Sequence, residues 1–203
     1  MRQGLLATMA LAALAGCAQA PAGPGSTLGT APPGFQCPPA GTSIVTSDGR
    51  NISYTGTAAG DPFTCIGGTT TSGSQSWLAN FYPVPTEDES TLRRNLAALW
   101  PLEPGKSISF TRQIGAPNGA LAFINTGWHV LGQRALPVAG TERQVLVIEN
   151  SENMPRIGGY SGVWTLYYDL QARAFVGGDL QVLRGFNEAR NWRATSITVP
   201  GAN

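Results

Sequence analysis

The sequence is poor in the residues that most enzymes and metal sites require. It contains one histidine, His129, and three cysteines among 203 residues. Any histidine-dependent catalytic triad would have to use His129, and no zinc-binding spacing is present. Carboxylates such as Glu149, Glu152 and Asp169 are scattered, which favours solvated side chains over a weak calcium site. We therefore expect no metal and no cofactor.

The chain also lacks an excess of positive or negative charge. The chain has 13 Lys and Arg against 12 Asp and Glu, a formal net charge of +1. Nucleic-acid-binding proteins normally carry a clustered basic excess, whereas the nearest cluster here is typical of a solvated strand face. It comprises Arg184, Arg190 and Arg193. We predict no nucleic-acid partner.

Apolar runs are too short to cross a membrane as a helix, which takes about 20 residues. The longest run, Gly4–Leu14, follows Arg2 and leads into Gly16 and Cys17, and Pro21 stops a helical continuation. A positive start, an apolar segment and small residues before a cysteine are typical of a cleavable export signal.

Leu14-Ala15-Gly16-Cys17 resembles the lipobox of bacterial lipoprotein precursors. The resemblance implies that residues 1–16 are a signal peptide and that Cys17 becomes the acylated first residue, palmitate being one such acyl group. Each buried methylene contributes about 0.8 kcal/mol, so several acyl chains would hold the protein on a membrane. Ala18 in place of Asp implies sorting to the outer membrane of a Gram-negative cell, on its periplasmic face.

The rest of the chain divides into a linker and one domain. Residues 17–36 are uncharged and rich in Ala, Gly and Pro, which predicts a flexible tether. Residues 37–200 form the predicted β-rich domain. With Cys17 assigned to lipid, Cys37 and Cys65 remain as a pair in an oxidising compartment, where a disulfide is expected. Closing that loop would stabilise the fold by roughly 3.5 kcal/mol.

The first half of the domain predicts a hairpin, a loop and a helix. Asp48-Gly49 separates two alternating segments, Ser43–Ser47 and Arg50–Tyr54, and fits a hairpin turn. A short strand at Asp61–Ile66 and a polar loop at residues 67–76 follow. A helix is predicted from Glu87 to Trp100, capped by Thr86 and Glu89. Its apolar stripe comprises Leu92, Leu96, Leu99 and Trp100.

The second half predicts strands joined by short turns. The turns are at Pro117-Asn118-Gly119, Ala139-Gly140 and Gly177-Gly178, a further break is at Gly132, and a loop spans Asn150–Gly159. Most connections are too short for parallel crossovers. The predicted fold class is therefore all-β: an antiparallel meander curled as a barrel or packed as a sandwich, with one amphipathic helix packed on it.

A second resemblance covers roughly residues 95–185. Leu99-Trp100-Pro101-Leu102 with Gly105-Lys106, then Trp128 and the run Trp164–Asp169, resemble β-rich domains of uncharacterised exported bacterial proteins. This resemblance implies a β fold and no activity.

Aromatic residues crowd one predicted strand region and form a candidate ligand platform. Together with Trp128 and Trp192 they could line a cavity or stack against a glycan. Packing in the sheet core is the favoured alternative, because strands are rich in aromatics for packing reasons alone. The platform residues are Tyr160, Trp164, Tyr167 and Tyr168.

Catalytic candidates are weak. Gly159–Val163 contains Ser161 but lacks the final glycine and the helix of a nucleophile elbow. The leading hypothesis is a non-catalytic binding or structural module, with an envelope protein, the cell wall or a hydrophobic ligand as partner. The alternative is a hydrolase that uses Ser161 with His129, or a carboxylate pair.

The lipobox generates the first prediction. Cys17→Ser removes the thiol that would be acylated, so we expect unprocessed precursor that no longer enters the detergent phase on phase partitioning. Normal processing and detergent-phase partitioning of this variant would contradict lipid anchoring.

Overall fold

A computed structural model describes residues 31–86, 88–115, 121–156, 159–185 and 188–201. In these ranges the chain forms eleven β-strands and one α-helix, which confirms the predicted all-β fold class. The export signal, Cys17 and residues 18–30 of the linker lie outside the described residues, as do Glu87 and the predicted turn at residues 117–119.

The first five strands form what we call the N-terminal wing. Each pairs with the next in antiparallel fashion. They are β1 (Ser43–Thr46), β2 (Asn51–Ala58), β3 (Asp61–Thr69), β4 (Gly73–Leu78) and β5 (Tyr82–Val84). The β1–β2 hairpin turns at Asp48-Gly49 as predicted, and Gly49 has a left-handed backbone with φ of +84°.

The last six strands form the C-terminal wing, again with antiparallel pairing of successive strands. They are β6 (Ser107–Gly115), β7 (Leu121–Val138), β8 (Thr141–Asn153), β9 (Ser161–Asp169), β10 (Ala174–Arg184) and β11 (Arg190–Thr198).

One pairing between distant segments joins the wings. β1 pairs with β11 in antiparallel register, with Ile44 opposite Ile197, and produces a single sheet in the order β5-β4-β3-β2-β1-β11-β10-β9-β8-β7-β6. Among the described strands, β5 and β6 are the edges, so hydrogen bonds do not close the sheet. It is a curled sheet rather than a closed barrel.

The helix α1 (Glu89–Leu99) connects the wings and lies against β6. The N-cap is Asp88 rather than the predicted Thr86, and Asp88 makes no side-chain capping bond. Glu89 instead pairs with Arg93 at 2.9 Å. The predicted apolar stripe is confirmed, because all four of its side chains are buried: Leu92, Leu96, Leu99 and Trp100.

Two apolar cores lie on opposite faces of the C-terminal wing. The first packs α1 and the N-terminal wing against Trp128, Ile148 and Tyr168. The second lies where the end of β7 folds over β11, and it contains Ile44, Val138 and Tyr167 among its residues. Part of the sheet is therefore covered on both faces. The long β7–β8 hairpin has to bend so that its β7 end can reach β11.

The predicted break at Gly132 is wrong, and this bend is the reason. β7 continues through Gly132 to Val138, and the register with β8 shifts between Val130 and Gly132. Such a bulge inserts one extra residue and bends the strand without ending it. The hairpin turns instead at Ala139-Gly140, as predicted, where both residues have positive φ.

Three other boundaries also differ from the prediction. Residues 67–69 belong to β3 and residues 73–76 to β4, so the predicted polar loop is reduced to a short turn. β8 continues to Asn153. Gly177-Gly178 is not a reversal but lies inside β10, opposite β9 and β11.

Covalent and ionic contacts join the segment before β1 and the helix to β3 of the N-terminal wing. Cys37 and Cys65 form a disulfide with their Cα atoms 5.4 Å apart. Arg93 on α1 donates two hydrogen bonds to the Asp61 carboxylate, at 3.0 and 2.8 Å. Burial alone would raise the pKa of Asp61, but the bonds and charge of Arg93 outweigh burial and hold that pKa below its ordinary value.

The buried side chain of Trp100 should contribute strongly to the stability of the fold. The ring is 7% exposed and packs edge-on against Phe35 at 4.9 Å, while its Nε1 has no partner among the described residues. We expect Trp100→Ala to lower the free energy of unfolding by about 3–5 kcal/mol. Trp100→Phe keeps an aromatic ring and removes the unpaired donor, so its loss should be much smaller. Chemical denaturation measures both, and equal losses would contradict this assignment.

Candidate functional site: an aromatic groove between the wings

A groove of about 290 Å³ lies where the curled sheet brings the inner faces of the two wings together. β2, β3 and β4 contribute one wall, and β10 and β11 contribute the other. We call it the aromatic groove, after the rings that line it: Tyr54, Trp77, Phe81, Phe175 and Trp192. It exists because the β1–β11 pairing sets the two wings side by side.

The closed end of the groove meets the first core at Phe81 and the second core at Tyr54. Phe81 stacks on Trp128 with ring centroids 4.7 Å apart and contacts Phe175 at 4.9 Å. Tyr54 lies across Gly67, whose ideal Cβ would stand 3.0 Å from the tyrosine ring. Burial raises the pKa of Tyr54 to about 12, so its hydroxyl stays protonated at neutral pH. These rings form a rigid floor.

Asn80 fixes the spacing of the two walls. It is 7% exposed and donates a hydrogen bond from Nδ2 to the carbonyl oxygen of Arg173 at 3.2 Å, across the wings. Ala79 and Asn80 both have a left-handed backbone, with φ of 52° and 60°. Non-glycine residues in that region are strained, and such strain persists only where surrounding contacts impose it.

The mouth of the groove is polar. Thr69 and Ser72 bond to each other through their hydroxyls. The amide of Gln75 is half-buried and has no hydrogen-bond partner within the described ranges. An unpaired amide offers both a donor and an acceptor to a bound molecule.

Arg50 carries the positive charge of the groove. Its guanidinium lies 4.6 Å from the centre of the Trp192 ring and pairs with Asp48 at 2.9 Å. Burial alone would raise the pKa of Asp48, but hydrogen bonds from Arg50 and Thr46 outweigh it and lower that pKa. Asp48 is therefore ionised at neutral pH, and the charge of Arg50 is neutralised by it.

A glycine on the neighbouring strand seats Trp192. Gly178 pairs with Trp192, and an ideal Cβ on Gly178 would lie 2.8 Å from Trp192 Nε1 and 3.0 Å from Leu166. A side chain at this position would push the indole ring. The Gly177-Gly178 dipeptide thus permits close side-chain packing rather than a turn.

The catalytic candidates lie elsewhere and apart from each other. His129 is exposed on β7 opposite Glu149, and Ser161 is half-buried on β9 opposite Asn153. These partners are four positions apart on β8, about 13 Å along the strand. The structure therefore does not bring Ser161 within hydrogen-bond reach of His129.

A larger cavity, of about 520 Å³, lies beside Ser161. It is a broad shelf over the outer surface of β6 to β9, lined mainly by small polar side chains such as Ser109, Asn125 and Ser151. Ligand sites are usually concave and rich in apolar groups. We therefore place the candidate site in the smaller aromatic groove.

Two of the three carboxylates considered as calcium ligands, Glu152 and Asp169, make ion pairs within the fold. Glu152 pairs with Arg112 at 2.7 Å. Asp169 pairs with Arg143 and accepts hydrogen bonds from the backbone of the turn that follows, at Gln171 and Ala172.

The four residues of the predicted ligand platform do not share one surface. Tyr168 belongs to the first core and Tyr167 to the second, on the opposite face of the sheet. Trp164 is half-buried beside Gly178, and Tyr160 lies over Gly162. Adjacent strand residues point to opposite faces, so neighbours such as Tyr167 and Tyr168 cannot form one platform.

Most residues of the groove cannot be recognised from the sequence. The aromatic pattern indicates Trp192, but it does not indicate Arg50, Trp77, Phe81 or Phe175 as lining residues. The available signal was the spacing of Gln75 and Trp77, which places both side chains on one face of a strand. The prediction of a loop at residues 67–76 concealed that strand.

No protein-family model matches the chain, and no curated protein does. Among solved structures, the chain is similar to the crystal structure of the hypothetical lipoprotein YmcC from Escherichia coli K12, with 10% identity and a TM-score of 0.46. The match covers 76% of this chain and 82% of that chain. A likeness this low carries no argument about function.

The close packing of Trp192 over Gly178 can be tested by adding a side chain at Gly178. Gly178→Ala should displace the indole and cost about 1–3 kcal/mol of stability, because it overpacks a filled position. Denaturation and tryptophan fluorescence report the two effects. Gln181→Ala, at an exposed position on the same strand, is the control and should change stability by less than about 0.5 kcal/mol. Wild-type stability and fluorescence in Gly178→Ala would refute the packing assignment.

Proposed function

We propose that this protein is a lipid-anchored envelope protein that binds a small ligand in the aromatic groove without transforming it. Cys17 holds the lipid, and the domain stands on the periplasmic face of the outer membrane. The sequence left three kinds of partner open: an envelope protein, the cell wall or a hydrophobic ligand. We propose a ligand small enough to fit the groove.

The anchor is supported by the lipobox, Leu14 to Cys17, and the sorting by Ala18. A disulfide between Cys37 and Cys65 is consistent with an oxidising compartment. In the described residues no helix is long and apolar enough to cross a membrane.

The groove is the observation that carries the binding proposal. It is concave, it is lined by five aromatic rings, and a few polar groups stand at its mouth. This combination is typical of small-molecule sites, in which apolar walls supply affinity and a few polar groups fix orientation. The absence of a chemical step is supported by the separation of Ser161 from His129 along the sheet.

A ligand screen tests the binding proposal. A compound bound to the folded state at 100 times its Kd stabilises that state by about 2.7 kcal/mol, which thermal denaturation detects. We expect compounds that raise the Tm of the wild-type chain and lose that effect in Trp77→Ala and Trp192→Ala.

Phe123→Ala is the control, because Phe123 is an exposed aromatic side chain on β7 and is not among the residues that line the groove. It should retain the ligand-induced shift. A screen without stabilising compounds, or with compounds that act equally on all variants, would count against the groove as the binding site.

A further inference from the structure

We infer that the ligand of the aromatic groove is an uncharged carbohydrate, with one sugar ring held between Trp77 and Trp192. This inference rests on the proposed function and adds the chemical class of the ligand. Three features of the groove carry it: the kind of rings, the hydrogen-bonding groups at the mouth and the balance of charge.

The rings offer flat apolar surface that is still accessible. Trp77 and Trp192 are only half-buried, on β4 and β11, so each keeps part of its surface open to the groove. Sugar rings have a face of C–H bonds whose slight positive charge packs well against the negative face of an indole. Indole is the largest side-chain surface for such a contact.

The mouth of the groove matches hydroxyl groups. A sugar hydroxyl is both donor and acceptor, and so are the amide of Gln75 and the hydroxyls of Thr69 and Ser72. Gln75 has no protein partner among the described residues, so a ligand hydroxyl or acetamido group would satisfy it without breaking an existing bond. Asn80 is already engaged with Arg173 and serves as part of the frame.

The charges of the groove favour a neutral ligand. Its one guanidinium, on Arg50, is paired with Asp48, and no carboxylate is among the lining residues. An anionic ligand would have to compete with Asp48 for Arg50, and a cationic ligand would find no counter-ion in the lining. The Arg50 guanidinium instead stacks on Trp192 as a flat polar group. Those of its N–H groups that do not bind Asp48 can donate hydrogen bonds to ligand hydroxyls.

Two other occupants fit less well. An acyl chain would desolvate the amide and hydroxyl groups of Gln75, Thr69 and Ser72 without replacing their hydrogen bonds, which is costly. An extended peptide normally binds by adding a strand to a sheet edge. The groove lies on the face of β2, β3 and β4, whose backbones are already paired on both sides.

Titration with three soluble trisaccharides tests the inference on the full chain in a detergent that contains no sugar. The probes are cellotriose, which is neutral, chitotriose, which is neutral and N-acetylated, and trigalacturonic acid, which is anionic. Calorimetry and tryptophan fluorescence give the affinities. We expect saturable binding of at least one neutral probe and weaker or no binding of trigalacturonic acid.

The variants locate the site. Trp77→Ala and Trp192→Ala should each weaken binding of the neutral probe about tenfold or more, equivalent to about 1.4 kcal/mol. Gln75→Ala should weaken it about threefold or more, and the control Phe123→Ala, at an exposed aromatic position on β7, should leave it within about twofold. Circular dichroism confirms that each variant is folded.

Three results would overturn the inference: no binding of any probe, tighter binding of the anionic probe, or neutral-sugar binding that survives both groove substitutions. The first result together with groove-dependent hits in the ligand screen would remove the carbohydrate and leave the binding proposal intact. Failure of both experiments would remove both.

Discussion

The pairing of β1 with β11 is the contact on which the rest of this structure depends. It joins residues 43–46 to residues 194–198, near opposite ends of the domain, and makes one sheet from two meanders. The backbone of Ser47 extends the junction, donating to the carbonyl oxygen of Arg193 at 2.8 Å. Without this junction Trp77 and Trp192 would belong to separate units, and no groove would lie between them.

Local signals predicted the elements well where periodicity and turn chemistry agreed. The Asp48-Gly49 hairpin, the apolar stripe of α1 and the Ala139-Gly140 turn were all visible in the sequence. Glycines inside strands caused the errors, because glycine serves both turns and close packing. Gly132 marks a bulge, and Gly178 leaves room for Trp192 on the adjacent strand. Neither role can be recognised without knowing which strand lies alongside.

The candidate site was harder to predict for a related reason. Its aromatic rings come from β2, β4, the β4–β5 turn, β10 and β11, which are far apart in sequence. The aromatics that are close in sequence, from Tyr160 to Tyr168, were the ones predicted to act together, yet alternation along β9 sends them to different faces. Proximity along a strand is thus a poor guide to a shared surface, whereas the pairing order and curling of the sheet decide which rings meet.

The long-range junction also constrains how the molecule is made. Synthesis from the N-terminus makes β1 to β5 available well before β11, and pairings with such large sequence separation form slowly. Until then the inner face of the N-terminal wing, with Trp77 and with Phe63 on β3, has no partner wing to cover it. Transiently exposed apolar surface and unpaired strands promote aggregation. The disulfide between Cys37, before β1, and Cys65 on β3 joins two segments that are synthesised early, and it limits the conformations open to the unfolded chain.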